Sequence, residues 1–344
     1  MRRIFLLGFT FLSLLVVACS KDGGSSGGGG NTGGGGGGTN PTPVVPIISL
    51  PAGWKFNASY STNFPNGIQT FSFDTIFNGR TVKAFCLAFD TKLGLYDLKP
   101  VQSTTAKKVS EFVSQEPGIV FGGINGGFFG GNSSYSIVKY NNQQSSINIK
   151  SVNRTYNGAS TAYFPTRAAF GIRANGSPTT AWIYHVGSGN DNIYSYPTPS
   201  PNAEGSAPQP TPTENFPAGG TPWSVPTAIG GSPMLLKDGQ VNISDVAELI
   251  NINNATSRPR SAIGHTSNGI VLLLAVEGDN STAGYPGINL ADLANMLRQL
   301  GCTDAINLDG GGSTSLVAAG RLTVRPGDNG AERPVVSAVL IKQK

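Results

Sequence analysis

The sequence predicts an α+β fold, with a large mixed, mainly antiparallel β-sheet core and a few covering helices. Many short runs of β-branched and aromatic residues follow residue 46, and Gly, Asn and Pro separate them. Helical periodicity is clear in far fewer places. This mixture favours sheets that are covered by helices.

Six segments carry the clearest strand pattern. They are residues 69–73, 81–89, 168–173, 180–185, 269–276 and 335–341. Residues 82–89 are almost wholly apolar, which is typical of a buried strand.

Three segments have helical character. Asn289 can cap a helix in which leucines recur on one face up to Leu300, and Gly301 ends it. A second helix is predicted over residues 106–115, because its apolar side chains also recur on one face. A third is predicted around residues 245–250.

The first 18 residues have the pattern of a bacterial lipoprotein signal peptide. A basic start precedes an apolar run over residues 4–17, which is short for a membrane span. The tetrapeptide that ends in Cys19 matches a lipobox, so we expect cleavage before Cys19 and its acylation. Several acyl chains anchor a protein stably, which makes a lipid membrane an expected partner. The alternative is a chance cysteine at the end of an ordinary export signal.

Residues 19–46 are interpreted as the lipidated cysteine and a Gly- and Pro-rich tether. So much glycine cannot bury a core, and it predicts a flexible segment that holds the folded part away from the lipid. The expected location is the cell envelope, as a membrane-anchored lipoprotein that is periplasmic or surface-exposed. Residues 47–344 are assigned to one domain. Its Pro-rich segment 197–226 is predicted to be a surface insertion, either a functional rim or a solvated loop without a role.

Charge and composition exclude several function classes. The formal net charge of +5 falls to +3 when the two signal-peptide arginines are removed, and no basic stripe is present. Nucleic acid is therefore not an expected partner. His185 and His265 lack metal-type spacing, which excludes an HExxH zinc site. Cys86 and Cys302 are predicted to be buried thiols, with a disulfide in an oxidising periplasm as the alternative.

The most informative run follows a strand-like segment at residues 305–308. It places the carboxylate of Asp309 before three consecutive glycines and three hydroxyls. Such glycines are best explained where φ is positive or where a ligand approaches the main chain closely. The set suits a phosphate or sugar ligand, and the alternative is a tight strand–turn–strand. The candidate binding residues of this run are Asn307, Gly310, Gly311, Gly312, Ser313 and Thr314.

Other stretches carry further candidate binding groups. Asn125 and Gly126 follow an apolar run, and the Asn amide offers a donor and an acceptor to a sugar or phosphate. Ser232 brings a hydroxyl to a Gly-rich strand entry. Arg260 starts a strand with a planar fork that suits bidentate phosphate binding, and Arg333 precedes the last predicted strand. Turns, strand entries and surface ion pairs are the plainer explanations.

The candidate chemistry is hydrolysis at a sugar carbon that bears phosphate. Cleavage of a glycosidic bond normally requires two carboxyl groups, but a phosphate leaves as a weak base and needs little protonation. Asp309 is the candidate base or nucleophile, and Glu277 or Asp279 is the candidate second carboxylate. No cofactor is assigned, although oxygen ligands from Asp309, Asp279 and Asn307 leave a divalent cation open.

Five stretches, in their order along the chain, resemble the phosphodiester glycosidase family. They are residues 125–129, 230–233, 260–264, 307–314 and 333–334. Because of the export signal, extracytoplasmic glycans are the expected substrates. The resemblance implies hydrolysis of a sugar-1-phosphodiester, giving free sugar and a phosphomonoester. It also implies a glycosyl phosphodiester or phosphorylated glycan as the substrate.

Departures from the family pattern affect the substrate more than the fold. Ser261 stands where the family commonly has Thr, and Glu277-Gly278-Asp279 stands where it often has Asp-Gly-Arg. Two alternatives stay open. One is a non-catalytic glycan- or phosphoglycan-binding lipoprotein, and the other is cleavage at the P–O bond.

Overall fold

Strands are the main regular structure in residues 44–344, the part of the chain that the computed structural model describes. The predicted signal peptide, Cys19 and the tether up to residue 43 lie outside the described residues. Numbered β1 to β24 in chain order, the strands are Trp54–Phe56, Ile68–Phe77, Arg80–Asp90, Tyr96–Lys107, Val120–Asn125, Phe129–Gly130, Ser133–Ser134, Val138–Tyr140, Gln143–Ser146, Val152–Tyr156, Ala159–Tyr163, Arg167–Ile172, Pro178–His185, Ile193–Tyr196, Thr221–Pro222, Thr227–Gly230, Met234–Lys237, Gln240–Val241, Arg260–Thr266, Ile270–Val276, Cys302–Asn307, Leu316–Ala318, Arg321–Leu322 and Val335–Gln343.

Helices are few and short in this part of the chain. The α-helices are α1 (Ala58–Ser61), α2 (Val109–Gln115) and α3 (Leu290–Gln299), and 3₁₀ turns cover Thr91–Leu93 and Gly311–Ser313. No helix among residues 44–344 has the length and apolar character that crossing a membrane requires.

The strands assemble into three large sheets and two small hairpins. The eight-stranded sheet has the order β1-β2-β3-β20-β19-β21-β17-β18, the seven-stranded sheet β15-β14-β13-β12-β16-β8-β9, and the five-stranded sheet β23-β22-β5-β24-β4. Every strand pair in the described region is antiparallel. The predicted α+β class with mainly antiparallel sheet is confirmed.

The eight-stranded sheet is the central layer, because both of its faces are apolar. Successive side chains of a strand point to opposite faces. In β3, Cys86 packs in the cluster that includes α3, whereas its neighbour Leu87 packs against the other two sheets. α2 covers the outer face of the five-stranded sheet. The strand ends that carry the candidate residues therefore lie where two sheets face each other.

Helix α3 forms as its sequence predicts. The Asn289 side chain accepts a hydrogen bond from the Asp292 N–H at 2.7 Å, and Gly301 follows the helix with φ of +91°. Leu293 and Leu297 are fully buried against the central sheet. The capping residues and the apolar face thus both predict the helix that the structure contains here.

Of the other two predicted helices, one is present with a later start and one is absent. α2 begins at Val109 rather than residue 106, because β4 continues to Lys107. The helix predicted around residues 245–250 is wrong, since that segment forms hydrogen-bonded turns. Leu249 has φ of +49°, a left-handed conformation that cannot continue an α-helix.

The Pro-rich segment 197–226 contributes to the core as well as to the surface. Trp223 and Val225 pack with Ile183 on the outer face of the seven-stranded sheet, and β15 extends that sheet beside β14. The segment thus seals one face of a sheet.

The prediction of two buried thiols is confirmed. Cys86 and Cys302 are free and buried, and burial raises the pKa of both thiols well above the usual range. Buried, protonated thiols are poor nucleophiles, so these cysteines act as core side chains.

Candidate functional site

Strand ends from two sheets meet at one cleft. β19 begins at Arg260 and β21 ends at Asn307 in the eight-stranded sheet, while β5 ends at Asn125 in the five-stranded sheet. The cleft has a volume of about 400 Å³. Its lining residues are Phe128, Ile252, Asn253, Arg258, Arg260, Asp279, Asp309, Gly310, Gly311, Gly312, Asp328 and Arg333.

Asp309 lies at the bottom of this cleft and is held by its own main chain. Its N–H donates to the Gly126 carbonyl at 3.2 Å, and its carbonyl accepts from the Asn125 amide at 2.7 Å. Burial raises the pKa of the Asp309 carboxyl to about 6, against the opposing effects of the Ser313 hydroxyl, the Gly310 N–H and Arg333. A carboxyl of this kind exchanges its proton near neutral pH, as acid–base catalysis requires.

The glycines after Asp309 permit one left-handed backbone conformation and one close approach. Gly311 has φ of +57° and donates its N–H to the Pro259 carbonyl at 2.9 Å. A Cβ on Gly312 would collide with the Arg333 guanidinium and the Asp328 carboxylate. Glycine at position 312 therefore lets this ion pair lie directly on the loop backbone.

Asn125 and Gly126 support the cleft from behind. The Asn125 side-chain oxygen accepts from the Ser261 hydroxyl at 2.7 Å and from the Ser315 N–H at 3.2 Å. Its amide nitrogen donates to the Asp309 carbonyl, and the residue is fully buried. Because both amide atoms are engaged, the structure gives Asn125 a positioning contact where direct ligand binding was expected. A Cβ on Gly126 would collide with Ser337 of β24.

Arg260 differs most from its expected role. Its guanidinium donates to the main-chain carbonyls of Ile288 (3.2 Å), Ile252 (3.2 Å), Asn253 (2.8 Å) and Thr256 (3.2 Å). Burial lowers the pKa of Arg260 to about 10, and four of its five N–H groups are engaged. The predicted bidentate phosphate contact is therefore corrected. Arg260 fixes the loop that forms one wall of the cleft.

Two exposed arginines take the position that Arg260 was expected to fill. Arg258 pairs with Asp279 at 3.4 Å, and Arg333 makes two 2.7 Å hydrogen bonds to Asp328. Both arginine side chains are nearly half exposed, so they retain N–H groups that face solvent. Arg333 and Asp279 thus line the cleft together with Asp309.

Glu277 does not line the cleft. Its carboxylate accepts from the Asn280 amide at 2.8 Å and from the Arg325 N–H at 3.1 Å, and it pairs with Lys83 at 3.3 Å. The side chain is 1 % exposed. The expected catalytic role is corrected, because Glu277 ties two loops to β3. Of the two candidates for the second carboxylate, Asp279 is the one that lines the cleft with Asp309.

Ser232 and Asn307 also face the interior. The Ser232 hydroxyl donates to Glu248 at 2.6 Å and accepts from Arg167 at 3.3 Å. The Asn307 amide donates to the carbonyls of Ser232 (2.8 Å) and Leu308 (2.6 Å). Their expected ligand contacts are replaced by bonds that join β21 to the segment before β17.

Two hydroxyls that follow the glycine loop are buried without protein partners. The side-chain oxygens of Thr314 and Ser315 make no hydrogen bond within residues 44–344, and neither does the Asn307 side-chain oxygen. Buried polar atoms are normally paired. This cluster therefore concentrates free hydrogen-bonding capacity beside Asp309.

Several cleft residues were missed from the sequence. Arg258 belongs to the same Arg-Pro-Arg run as Arg260, so composition alone did not show which arginine is buried. Asp328, Asn253 and Phe128 lie on irregular loops, and only the fold brings them to the cleft. Among the described residues, no three His, Cys, Asp or Glu side chains cluster in a manner suited to a metal ion. Asp309 and Asp279 share the cleft, but Asn307 lies behind it.

The model of one protein family matches most of the chain. The model of the family described as phosphodiester glycosidase matches residues 119–342. N-acetylglucosamine-1-phosphodiester alpha-N-acetylglucosaminidase of Mus musculus is 36% identical over 83 residues, which cover 24% of this chain and 15% of that protein. The Bos taurus protein of the same name is 41% identical over 70 residues, or 20% and 13% of the two chains. The matches thus span about a seventh of the length of these relatives.

Solved structures show the same fold at low sequence identity. The catalytic domain of zebrafish N-acetylglucosamine-1-phosphodiester alpha-N-acetylglucosaminidase, auto-inhibited by its pro-peptide, superposes with a TM-score of 0.55 and 19% identity over 85% of this chain and 88% of that one. A hypothetical protein from Synechocystis gives a TM-score of 0.55 and 20% identity over 82% and 63% of the two chains. These likenesses concern the fold.

Proposed function

This chain belongs to the phosphodiester glycosidase family, and from that premise we propose that it hydrolyses a glycosyl phosphodiester. The products are a free sugar and a phosphomonoester. The observation that carries the proposal is Asp309, a carboxyl with a pKa raised to about 6, at the bottom of a cleft that two half-exposed arginines flank.

The arginines supply the charge that the leaving group requires. Arg258 and Arg333 lie on the cleft with solvent-facing N–H groups, and guanidinium groups bind phosphate oxygens through paired hydrogen bonds. Negative charge accumulates on the phosphate as the C–O bond breaks. Stabilisation of that charge lowers the barrier, so the reaction needs little proton donation to the leaving oxygen.

Asp309 acts in its ionised form. It attacks the anomeric carbon directly or removes a proton from an attacking water, and retention or inversion of configuration distinguishes the two routes. Asp279 and Asp328 are the other two carboxylates that line the cleft, and Asp279 orients Arg258 through their ion pair. The Asn125 amide positions Asp309 by donating a hydrogen bond to the Asp309 main-chain carbonyl.

The substrate is proposed to be an extracytoplasmic glycan. This part of the proposal rests on the lipoprotein signal pattern of residues 1–19 and on the Gly-rich tether. A tether of this composition allows the domain to reach polymers beyond the membrane surface.

The test is turnover of an α-N-acetylglucosaminyl methyl phosphodiester, with separate assays for free sugar and sugar phosphate. We expect free sugar from the parent protein, a loss of about a hundredfold or more in Asp309→Asn, and a higher KM in Arg333→Gln. kcat/KM should rise with pH through the Asp309 pKa of about 6, because the ionised carboxylate is the reactive form.

Two outcomes would contradict the proposal. Sugar phosphate as the product would place cleavage at the P–O bond. Tight binding of the diester without turnover, unchanged in Asp309→Asn, would identify a glycan-binding protein instead of an enzyme.

A further inference from the structure

A second cavity adjoins the Asp309 cleft. Its volume is about 360 Å³, and it shares Phe128 with the cleft. Ile250 and Asn251 line this cavity, while the next two residues line the cleft. We name it the Arg167 cavity. The polar and aromatic residues that line it include Arg167, Arg154, Asn148, Phe128, Phe129 and Tyr135.

Arg167 places in this cavity a guanidinium that makes few hydrogen bonds to the protein. The side chain is 8 % exposed. Its one hydrogen bond to residues 44–344 runs from Nη1 to the Ser232 hydroxyl at 3.3 Å, and its buried Nε has no partner. A buried guanidinium normally donates most of its N–H groups, as Arg260 does. Arg167 thus has N–H groups available to a ligand.

Asn148 adds a second unpartnered donor whose orientation is fixed. Its side-chain oxygen accepts from the Ile137 N–H at 2.8 Å, so the amide nitrogen is the remaining group, and that nitrogen is buried without a partner. The Asn148 N–H donates to Nε2 of His185 at 3.2 Å, and the proton on Nδ1 bonds to the Asn190 carbonyl. The surrounding network therefore holds the amide donor in place.

The charge of the cavity favours a ligand that accepts hydrogen bonds. Its charged lining residues are Arg154 and Arg167, and no carboxylate belongs to the lining. Glu248 lies behind Ser232 and offsets part of the Arg167 charge. Arg154 pairs at 3.8 Å with Glu204, an exposed carboxylate that does not line the cavity. The charged groups on the cavity wall itself are therefore two guanidinium groups. Aromatic walls suit the face of a sugar ring.

We propose that the Arg167 cavity is a substrate subsite for an anionic substituent, a carboxylate or a phosphate group, carried by the glycan next to the scissile bond. The substrate class is then an acidic glycosyl phosphodiester. This inference rests on the proposed function, because the adjoining cleft must hold the reacting diester.

The experiment uses three methyl phosphodiesters of one sugar that differ only at C6, as hydroxymethyl, carboxylate and phosphate. Charge-assisted hydrogen bonds predict a kcat/KM about tenfold or more higher for an anionic diester than for the neutral one. That ratio should approach one in Arg167→Gln and fall below one in the isosteric Asn148→Asp, which adds repulsive charge. Arg173→Gln, on a separate surface loop, should keep the parent ratio. The carboxylate and phosphate arms identify the favoured group.

A binding arm separates this inference from the proposed function. Calorimetric titration of the full chain with glucuronate, glucose 6-phosphate and glucose should show binding of an anionic sugar that Arg167→Gln weakens about tenfold, with circular dichroism as the check on folding. If no diester is turned over but this binding is seen, the proposed function fails, and the Arg167 cavity is an anionic-sugar site that serves no hydrolysis. Equal turnover of neutral and anionic diesters, or equal binding of glucose and the anionic sugars, would overturn the subsite.

Discussion

Single residues in the cleft show how burial divides similar side chains between structure and chemistry. Arg260 and Arg258 are two positions apart, yet one bonds to four carbonyls and the other faces solvent beside Asp279. Asp309 is a carboxyl whose ionised form is disfavoured by burial. A chemical group that the fold destabilises in its reactive form is typical of a functional site.

Replacement of Asp309 by Asn should stabilise the protein at high pH. The folded-state pKa of Asp309 is about 6 against an ordinary value of 3.8, so the folded state binds more protons than the unfolded state between these values. Stability therefore falls as pH rises through this window and stays lowered above it. We expect the free energy of unfolding of Asp309→Asn to exceed that of the parent by about 1–3 kcal/mol at pH 8, and by about zero near pH 4.

Urea unfolding of both proteins at the two pH values measures this effect. The difference in stability between variant and parent is the relevant quantity, because His185 also titrates in this pH range. Burial lowers the pKa of His185 to about 4, so its contribution to stability rises with pH. Asp238→Asn, at an exposed turn, serves as the control and should change stability by less than about 0.5 kcal/mol. A pH-independent difference for Asp309→Asn would contradict the assigned pKa.

At the scale of elements, turns rather than helices build the walls of the site. The glycine loop after β21 carries Asp309 and supports the Arg333–Asp328 ion pair. The turns at residues 245–249 place Glu248 in the interior. Its carboxylate accepts from the N–H groups of Ala168 and Met234, the Trp182 indole and the Ser232 and Ser244 hydroxyls.

Gly312→Ala should impair substrate binding more than folding. The added Cβ would displace the Arg333 guanidinium and Asp328, so KM for the diester should rise about tenfold if Arg333 binds its phosphate. Gly320→Ala is the matched control. Its φ of +72° and open surroundings predict a stability loss of about 1 kcal/mol with KM unchanged. Equal KM values in both variants would show that Arg333 does not contact substrate.

Glu248→Ala should be strongly destabilising. The substitution leaves several buried N–H and O–H donors of three strands without an acceptor, and each such loss costs about 1–3 kcal/mol. We expect a total loss of about 3–5 kcal/mol in urea unfolding. Glu214→Ala removes an exposed carboxylate and should cost less than about 0.5 kcal/mol. A small effect at Glu248 would mean that water replaces the carboxylate.

At the scale of the whole molecule, one sheet is buried on both faces and the site lies at the ends of two of its interior strands, β19 and β21. α3 covers one face, and two other sheets cover the opposite face. The cleft forms where these layers end, so residues from five separated segments share it. The proposed anchor is a property of residues 1–46, which precede these layers in the sequence.

Cys19→Ser should release the protein from the membrane. Acylation of Cys19 is the proposed anchor, and a serine cannot carry the thioether-linked lipid. We expect metabolic labelling with palmitate in the parent and none in the variant, together with a shift to the soluble extracytoplasmic fraction. Ser20→Ala is the adjacent control and should keep both the label and the membrane association. A labelled or membrane-bound Cys19→Ser protein would contradict the anchor.

The sequence by itself determined the α+β class, the main strands, the capped helix α3 and the identity of Asp309 and its glycine loop as the candidate site. These features depend on local periodicity, on capping residues and on the conformations that glycine permits, so they can be recognised along the chain. The ordered motifs also identified the family before any fold was known.

Only the tertiary structure decided which polar side chains are free to act. Arg260, Asn125 and Glu277 have the right chemistry, but their hydrogen-bonding groups are occupied by main-chain and side-chain partners from distant segments. Arg258 and Asp328 reach the cleft because loops from different strands converge there. Burial and long-range hydrogen bonding arise from the packing of sheets, and a sequence pattern carries no direct record of either.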